Sequence, residues 1–427
     1  MYKRISIVLN FELILLFVPL SILRTGFAQQ IPSRLSIEDA VEYAKTHNPR
    51  IRQAEASVEF EKAAKHRTWA PPKPELLIIY EGIPRGNYFD LYESRKIMLA
   101  QRIEFPLKNI FKMKRQSSLL ERSIHALNLE KLKMRAEVKI AYYEALRAQG
   151  QYELAQKNLM LSEDLAAKAK LRFDLGEVSS IDYRRAKLQK HRADNMVISA
   201  GVYRKNAMEA LILLLTGGPE TSGRPLMEIE LTDSLLYRPI DINTLENKEN
   251  KLMDHSRIQI AAKEQNAAAN ALSLAKSSFL PDFYVVYSRE NVKTMPGFWG
   301  ARLGVSLPLW FLWDQKAQIA EARASKKVSE WNKVHEENHL RTEIETAVFA
   351  LQEEEKQVQR FQNEILKEAE QVFELARVSY KEGETSYIEV IFAQQSLIEI
   401  RSEYLDLLAE YNKAIAKLEL ALGHTLQ

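Results

Sequence analysis

The feature that most constrains this chain is that it is written twice. Sliding the sequence over itself by 207 residues places Arg50-Ile51 on Arg257-Ile258, Ala54 on Ala261 and Pro74 on Pro281. The same shift places Gly176 on Gly383, Ile181 on Ile388 and Ala186 on Ala393. Between these anchors Phe105-Pro106-Leu107 matches Leu307-Pro308-Leu309 at a shift of 202, so the halves differ by five residues of spacing. One register held over so long a span marks a structural unit used twice. It divides the chain into an N-terminal segment 1–28, a first unit 29–216, an irregular linker 217–250 and a second unit 251–427.

The order within each unit is the same. Residues 50–70 and 257–279 hold no Gly or Pro and read as helix, each closed by a proline stop (Pro71, Pro72 and Pro74; Pro281). The period then changes to two. Ile97, Leu99, Ile103 and Phe105 alternate with Lys96, Arg102 and Glu104; Trp299, Ala301, Leu303, Val305 and Leu307 alternate with Gly300, Arg302, Gly304 and Ser306. One apolar side and one small or polar side suit a membrane barrel strand. Preceding strands at Glu75–Glu81 and Asp282–Arg289 give two β-hairpins, at about 75–105 and 282–307, with loops containing Gly82-Ile83-Pro84 and Met295-Pro296-Gly297. Two soluble hairpins packed on a core are the plainer alternative.

Each hairpin leads into a very long helical hairpin, about 108–215 and 314–422. From Lys108 to Asp174 the only breaker is Gly150, enough for roughly 100 Å of helix. A 4-3 spaced seam runs Leu120, Ile124, Leu127, Met134, Val138, Ala141, Ala145, Ala148, Tyr152, Ala155, Leu159, Ala166, Ala169, Phe173, broken by Lys131 and Ser162. That is a coiled-coil pattern, and its many alanines permit close helix contact. The second unit repeats it from Asp314 to Glu382, and each long helix ends at a glycine, Gly176 or Gly383, suited to a left-handed C-cap. The 217–250 link holds Gly217-Gly218-Pro219, Gly223, Pro225 and Pro239.

The N-terminus reads as an export signal: Lys3 and Arg4, an apolar run Leu13–Leu23, then Gly26-Phe27-Ala28 at the cleavage position. No later stretch reaches the apolar length of a transmembrane helix. With 60 basic against 57 acidic residues, no basic excess argues for nucleic acid. The absence of cysteine excludes a disulfide, a thiolate metal site and a lipid-modified N-terminal cysteine. Four candidate membrane strands cannot close a barrel, and open strand edges are not tolerated in lipid. Several copies are required; two give eight strands and three give twelve, and the residues alone do not choose.

This duplicated plan resembles the TolC-type outer membrane efflux family over nearly the whole mature chain. The carriers are Leu35-Ser36-Ile37-Glu38-Asp39-Ala40 through Asn48-Pro49, then Pro74-Glu75-Leu76. The turn motifs are the most specific: Arg172-Phe173-Asp174-Leu175-Gly176-Glu177 with Ser180-Ile181-Asp182, and Ser379-Tyr380-Lys381-Glu382-Gly383-Glu384 with Tyr387-Ile388-Glu389. The resemblance implies a mainly α chain with a small β part, its long-helix coiled-coil hairpins and two β-hairpins forming part of a trimeric outer-membrane β-barrel and α-helical tunnel. It implies a homotrimer set in outer-membrane lipid, a periplasmic adaptor docked at the tips (Gly176, Gly383, Leu175, Glu384), and an inner-membrane pump of the RND type or similar. No enzyme activity and no cofactor are implied. Glu389 falls where the family's first acidic constriction residue would lie, but Phe392 stands where some members place the next; Asp182 is the repeat equivalent of Glu389. A ring of Glu389 carboxylates would favour cations at a pore aperture; a solvated helix-start carboxylate is the competing account. The Pro74-Glu75-Leu76 and Phe105-Pro106-Leu107 context is similar to the heavy-metal, CzcC-like branch, which makes metal cations a candidate cargo.

One motif points elsewhere. His335-Glu336-Glu337-Asn338-His339 matches H-E-x-x-H, two imidazoles on one helical face with a glutamate beside them, as in zinc proteases. His335 and His339 are the only candidate metal ligands, set against a solvated polar face inside a long helix. Lys108, Lys112, Lys114 and Arg115 could meet lipid headgroups, and Trp299, Trp310 and Trp313 could mark a membrane interface. The alternatives to a channel are a periplasmic coiled-coil adaptor without a pore and this protease.

Overall fold

The computed structural model describes residues 32–83, 92–218, 229–240, 253–293, 295–307 and 313–426. The expected export signal, Pro84, Pro219, Gly223, Pro225, Pro308-Leu309 and Trp310 lie outside them. A short strand β1 (Arg34–Leu35) precedes helices α1 (Ile37–His47) and α2 (Pro49–Arg67), strands β2 (Glu75–Glu81) and β3 (Ser94–Ile103), and helices α3 (Pro106–Asp174) and α4 (Ser180–Thr216). After β4 (Glu230–Leu231) the order returns as α5 (Ser256–Ser277), β5 (Asp282–Val292), β6 (Met295–Ser306), α6 (Asp314–Arg360), α7 (Leu366–Glu382) and α8 (Tyr387–Leu422). The molecule is mainly helical with a small antiparallel sheet, the class the sequence implies.

Local chemistry sets these boundaries. The Ser36 hydroxyl caps α1 by accepting from the Asp39 amide at 3.2 Å. Pro49 then ends α1 and begins α2, because a helix's first residue needs no amide hydrogen. The α1–α2 break and the pairing of β1 with β4 were not visible as period signals, since both elements are short. At 69 residues, α3 extends roughly 100 Å.

Two cores hold the bundle, one per half. The first gathers Leu35, Ile51, Met134, Val138, Tyr142, Leu211 and Leu215; the second Ile258, Leu340, Leu351, Tyr411 and Leu418. Burying each large aliphatic contributes about 1.5–3 kcal/mol. The described linker is fastened by tyrosines. The Tyr142 hydroxyl lies 2.7 Å from both the Leu35 carbonyl and the Asp233 carboxylate, and the Tyr411 hydroxyl donates to the Arg238 carbonyl at 2.6 Å.

Several expectations need correction. Met295-Pro296-Gly297 is not a loop but the start of β6, and β5 runs past Arg289 to Val292. Proline is tolerated there because β6 is an edge strand and Pro296 sits at its beginning. The second long helix is interrupted by a π turn at Phe361–Ile365, which no Gly or Pro announces. Ser162, taken as a break in the α3 seam, is buried beside Asn158, and the Gln394 amide donates to both at 3.1 and 2.8 Å. Ile124, taken as a seam residue, is 41 % exposed. Lys108 pairs with Asp282 at 2.7 Å and Lys112 with Glu104 at 2.5 Å, so these lysines brace the corner where strand becomes helix.

Candidate channel-forming surfaces

The four long strands form one sheet in the order β2-β3-β5-β6, with every neighbour antiparallel. The two hairpins are thus joined through β3 and β5, and β2 and β6 are left as edges. The register makes the two faces distinct. One row runs Ile78, Ile97, Arg289, Trp299 and another Leu76, Leu99, Tyr287, Ala301. On this face Leu76, Ile78, Leu99, Trp299 and Leu303 are exposed, Leu303 to 80 %. Arg289 lies over the Trp299 ring at 5.0 Å, which covers the one cation in that row. The opposite face is mixed: Lys96 pairs with Glu290 at 3.2 Å, and Ser288, Gly300, Gly304 and Arg102 share it with Leu77, Ile79, Met98, Val286 and Phe298. Gly304 is needed because the Tyr284 ring lies across it; a Cβ there would come within 1.9 Å of the ring. A sheet with one continuous exposed apolar face suits a segment of barrel wall.

At the far end of the long helices the chain reverses twice in the same way. Gly176 and Gly383 hold φ of 76° and 82°, with open space around each, so glycine is required for the backbone angle rather than for room. The Glu177 amide donates to the Arg172 carbonyl at 2.8 Å and the Glu384 amide to the Ser379 carbonyl at 2.9 Å, a Schellman closure at both tips. Leu175 is 66 % exposed, and Glu384 is exposed beside Gly383. Leu165, Ala169, Ala186, Tyr380, Tyr387 and Val390 pack the four helix ends together. Arg172 stacks over Tyr380 at 4.6 Å, a contact between the tips that the sequence did not reveal.

Asp182 and Glu389 each stand six residues past their glycine. The Ser179 hydroxyl donates to Asp182 at 2.7 Å and accepts from its amide at 3.2 Å, an ordinary helix-start cap. Glu389 is exposed and takes a hydrogen bond from the Thr385 hydroxyl instead. The Phe392 ring, one turn further on, is 65 % exposed. No hydrogen bond joins Asp182 to Glu389 among the described residues.

His335 and His339 lie one turn apart with ring centroids 6.1 Å apart and ring planes tilted by 57°. Their neighbourhood is claimed by a cation. Arg257 reaches Glu336 at 3.0 Å and Glu343 at 2.6 Å, and donates to the His339 Nδ1 at 3.2 Å. The carboxylate that a protease would use as base is therefore held in an ion pair. Among the described residues no three His, Asp or Glu converge as a metal set. In the first half Arg50 grips Glu130 at 2.7 Å and Glu137 at 2.5 Å in the same manner. Both arginines were repeat anchors in the sequence, and glutamates seven apart in each half were the available signal for these clamps.

The comparisons agree with this geometry. A family model described as outer membrane efflux protein matches residues 250–424. The chain is 22 % identical over 406 residues to the cobalt-zinc-cadmium resistance protein CzcC of Cupriavidus metallidurans, covering 93 % of this chain and 92 % of that one. Its fold is similar to the outer membrane protein VceC of Vibrio cholerae, with a TM-score of 0.75 at 17 % identity over 92 % of this chain and 97 % of that one. The outer membrane channel CmeC of Campylobacter jejuni superposes with a TM-score of 0.76 at 14 % identity, over 92 % and 86 %.

Proposed function

We propose that this chain belongs to the outer membrane efflux protein family, whose model matches residues 250–424, and completes its barrel and its tunnel by joining two further copies of itself. It is an outer-membrane efflux channel with a large periplasmic part. The observation that carries the multi-copy reading is the sheet, four strands with an apolar face and two edges unpaired among the described residues; three copies rather than two is what the family resemblance implies. Lipid does not tolerate such edges, and three copies would close twelve strands into one barrel. The long helices of the same copies would then enclose a tube of roughly 100 Å below it. Such a tube is passive, so energy and selectivity come from an inner-membrane pump reached through a periplasmic adaptor. The exposed Leu175-Gly176 and Gly383-Glu384 turns are the docking ends in this reading.

Glu389, with Asp182 behind it in the sequence repeat, is the proposed aperture residue. Repeated around the tube, its carboxylates would enrich cations and resist anions. That preference, with the likeness to a protein named for cobalt, zinc and cadmium resistance, makes divalent metal cations the proposed cargo. Deleting the gene should sensitise cells to cobalt, zinc and cadmium and leave tolerance of drugs and dyes unchanged. Sensitivity to drugs with unchanged metal tolerance would reassign the cargo.

A further inference from the structure

Closing the helical wall requires one edge of a copy to meet an edge of the next. We infer that the basic outer face of α4 lies against the acidic outer face of α7 in the neighbouring copy, in a charge-matched, salt-sensitive seam. The inference rests on the multi-copy reading above. Within one copy α4 packs on α3, takes a hydrogen bond from Gln395 of α8 at Gln189 (2.8 Å) and meets α1 at its far end, while α7 packs on α8 and touches α3 at the tip. Since α3 and α8 also pack together, the wall runs α4, α3, α8, α7, with α4 and α7 outermost.

Both outer helices leave apolar side chains uncovered. Ile181, Leu188 and Val202 on α4 are 59, 53 and 57 % exposed; Val372, Leu375 and Val378 on α7 are 48, 68 and 40 % exposed. Helix α4 leaves the tip as α7 approaches it, so counting residues from Gly176 and Gly383 gives their levels. Ile181 and Val378 both lie five residues from their glycine, and Leu188 and Val372 lie twelve and eleven. The charges match at the same levels. Arg185 and Glu374 both lie nine residues away, Arg192 and Glu368 sixteen and fifteen. Even the reversal of sign is matched, since Asp182 and Arg377 both lie six residues away.

Most of the basic charges, and Glu368 on the acidic side, are unpaired within one copy among the described residues. From 184 to 192 α4 carries Arg184, Arg185, Lys187, Lys190 and Arg192 with no acid among them. Lys190 reaches Glu163 at 3.0 Å, and the other four make no ion pair among the described residues. Across the level of the π turn and α7 stand Glu364, Glu368, Glu370 and Glu374 with Lys367 as the one cation between them. Glu364 pairs with Arg360 at 3.8 Å, Glu370 with Arg401 at 2.8 Å and Glu374 with Arg377 at 2.6 Å; Glu368 makes no ion pair among the described residues. A basic edge and an acidic edge on opposite sides of one copy favour head-to-tail closure and disfavour like edges meeting. Exposed charges of this kind are screened by salt.

The chain has no cysteine, so engineered thiols report cleanly. The full chain carrying Leu188→Cys and Val372→Cys, treated in membranes with a short thiol cross-linker, should run mostly as bands of two and three chain masses. Leu188→Cys alone should stay at one. A second pair, Ile181→Cys with Val378→Cys, guards against a folding defect in the first. Arg192→Glu should lower the salt concentration at which the oligomer falls apart, and adding Glu368→Arg should restore it. Neither pair cross-linking, while the unsubstituted chain still runs as an oligomer, would overturn the seam and leave the multi-copy reading standing. An unsubstituted chain that is monomeric in the membrane would overturn both.

Discussion

The two halves build the same joint from different chemistry. At the first, Asn48 caps α2 by accepting from the Arg50 amide at 2.8 Å and donates to the Leu214 carbonyl of α4 at 2.6 Å. At the second, the His255 Nδ1 accepts from the Arg257 amide at 3.2 Å, and its Nε2 lies 3.4 Å from the Leu420 carbonyl of α8. The arginine that follows grips two glutamates of the long helix in each half, and the next residue, Ile51 or Ile258, is fully buried. Each returning helix closes on a left-handed glycine, Gly217 at φ 74° and Gly423 at φ 77°. What survives duplication is the set of hydrogen bonds; the residue supplying them is free to change. The difference is that an amide does not titrate in the working range of pH and an imidazole does.

The glycines offer the strongest way to break the likeness. Alanine at Gly217 adds backbone strain and drives a Cβ to 2.1 Å from the Pro49 ring, whereas at Gly423 it meets His255 at 2.7 Å. Gly217→Ala should lower unfolding stability by about 3 kcal/mol in urea titration and Gly423→Ala by less, because an imidazole can move and a proline ring cannot. Equal losses would show the two joints to be equally rigid. Next come the clamps. Arg257→Ala should cost about 1–2 kcal/mol and Arg50→Ala less, since the Arg50 side chain is 45 % exposed against 22 % for Arg257.

The smallest effect separates the halves most cleanly. Burial pushes the His255 imidazole below its usual range; the Leu420 carbonyl opposes this, Arg257 adds to it and Glu343 opposes it. The unfolded chain therefore takes up the proton first, so this contribution is complete above the ordinary histidine value and is lost as pH falls through the lower folded one. Protonation also removes the acceptor used by the Arg257 amide. The urea midpoint should drop between neutral pH and roughly pH 5, and His255→Asn should reduce that drop. An unaltered pH dependence in the variant would remove His255 as its source.

What the sequence disclosed was whatever has a period. The strand alternation at 299–307, the long seam of α3 and the two glycine turns are local patterns, and each is present in the fold. What it withheld depends on partners far along the chain. The sheet order needs β3 to pair with β5 across some 180 residues, as in Ile103 opposite Phe283. The layer of Asn158, Ser162 and Gln394 looks like a broken seam until the helix that completes it is known. Met295-Pro296-Gly297 looked like a turn because an edge strand has no sequence mark of being an edge. At the tips, positions were legible but not surroundings: the Asp182 cap, the Thr385 contact of Glu389 and the Arg172–Tyr380 stack all required the fold.

The central claim is that copies of this chain enclose a continuous water-filled path. Single-channel recording of the detergent-extracted protein in planar lipid bilayers tests it directly. Discrete, cation-preferring current steps are predicted, with a larger resting leak in Glu389→Ala. Protein that inserts into the bilayer and passes no current in either form would contradict the account.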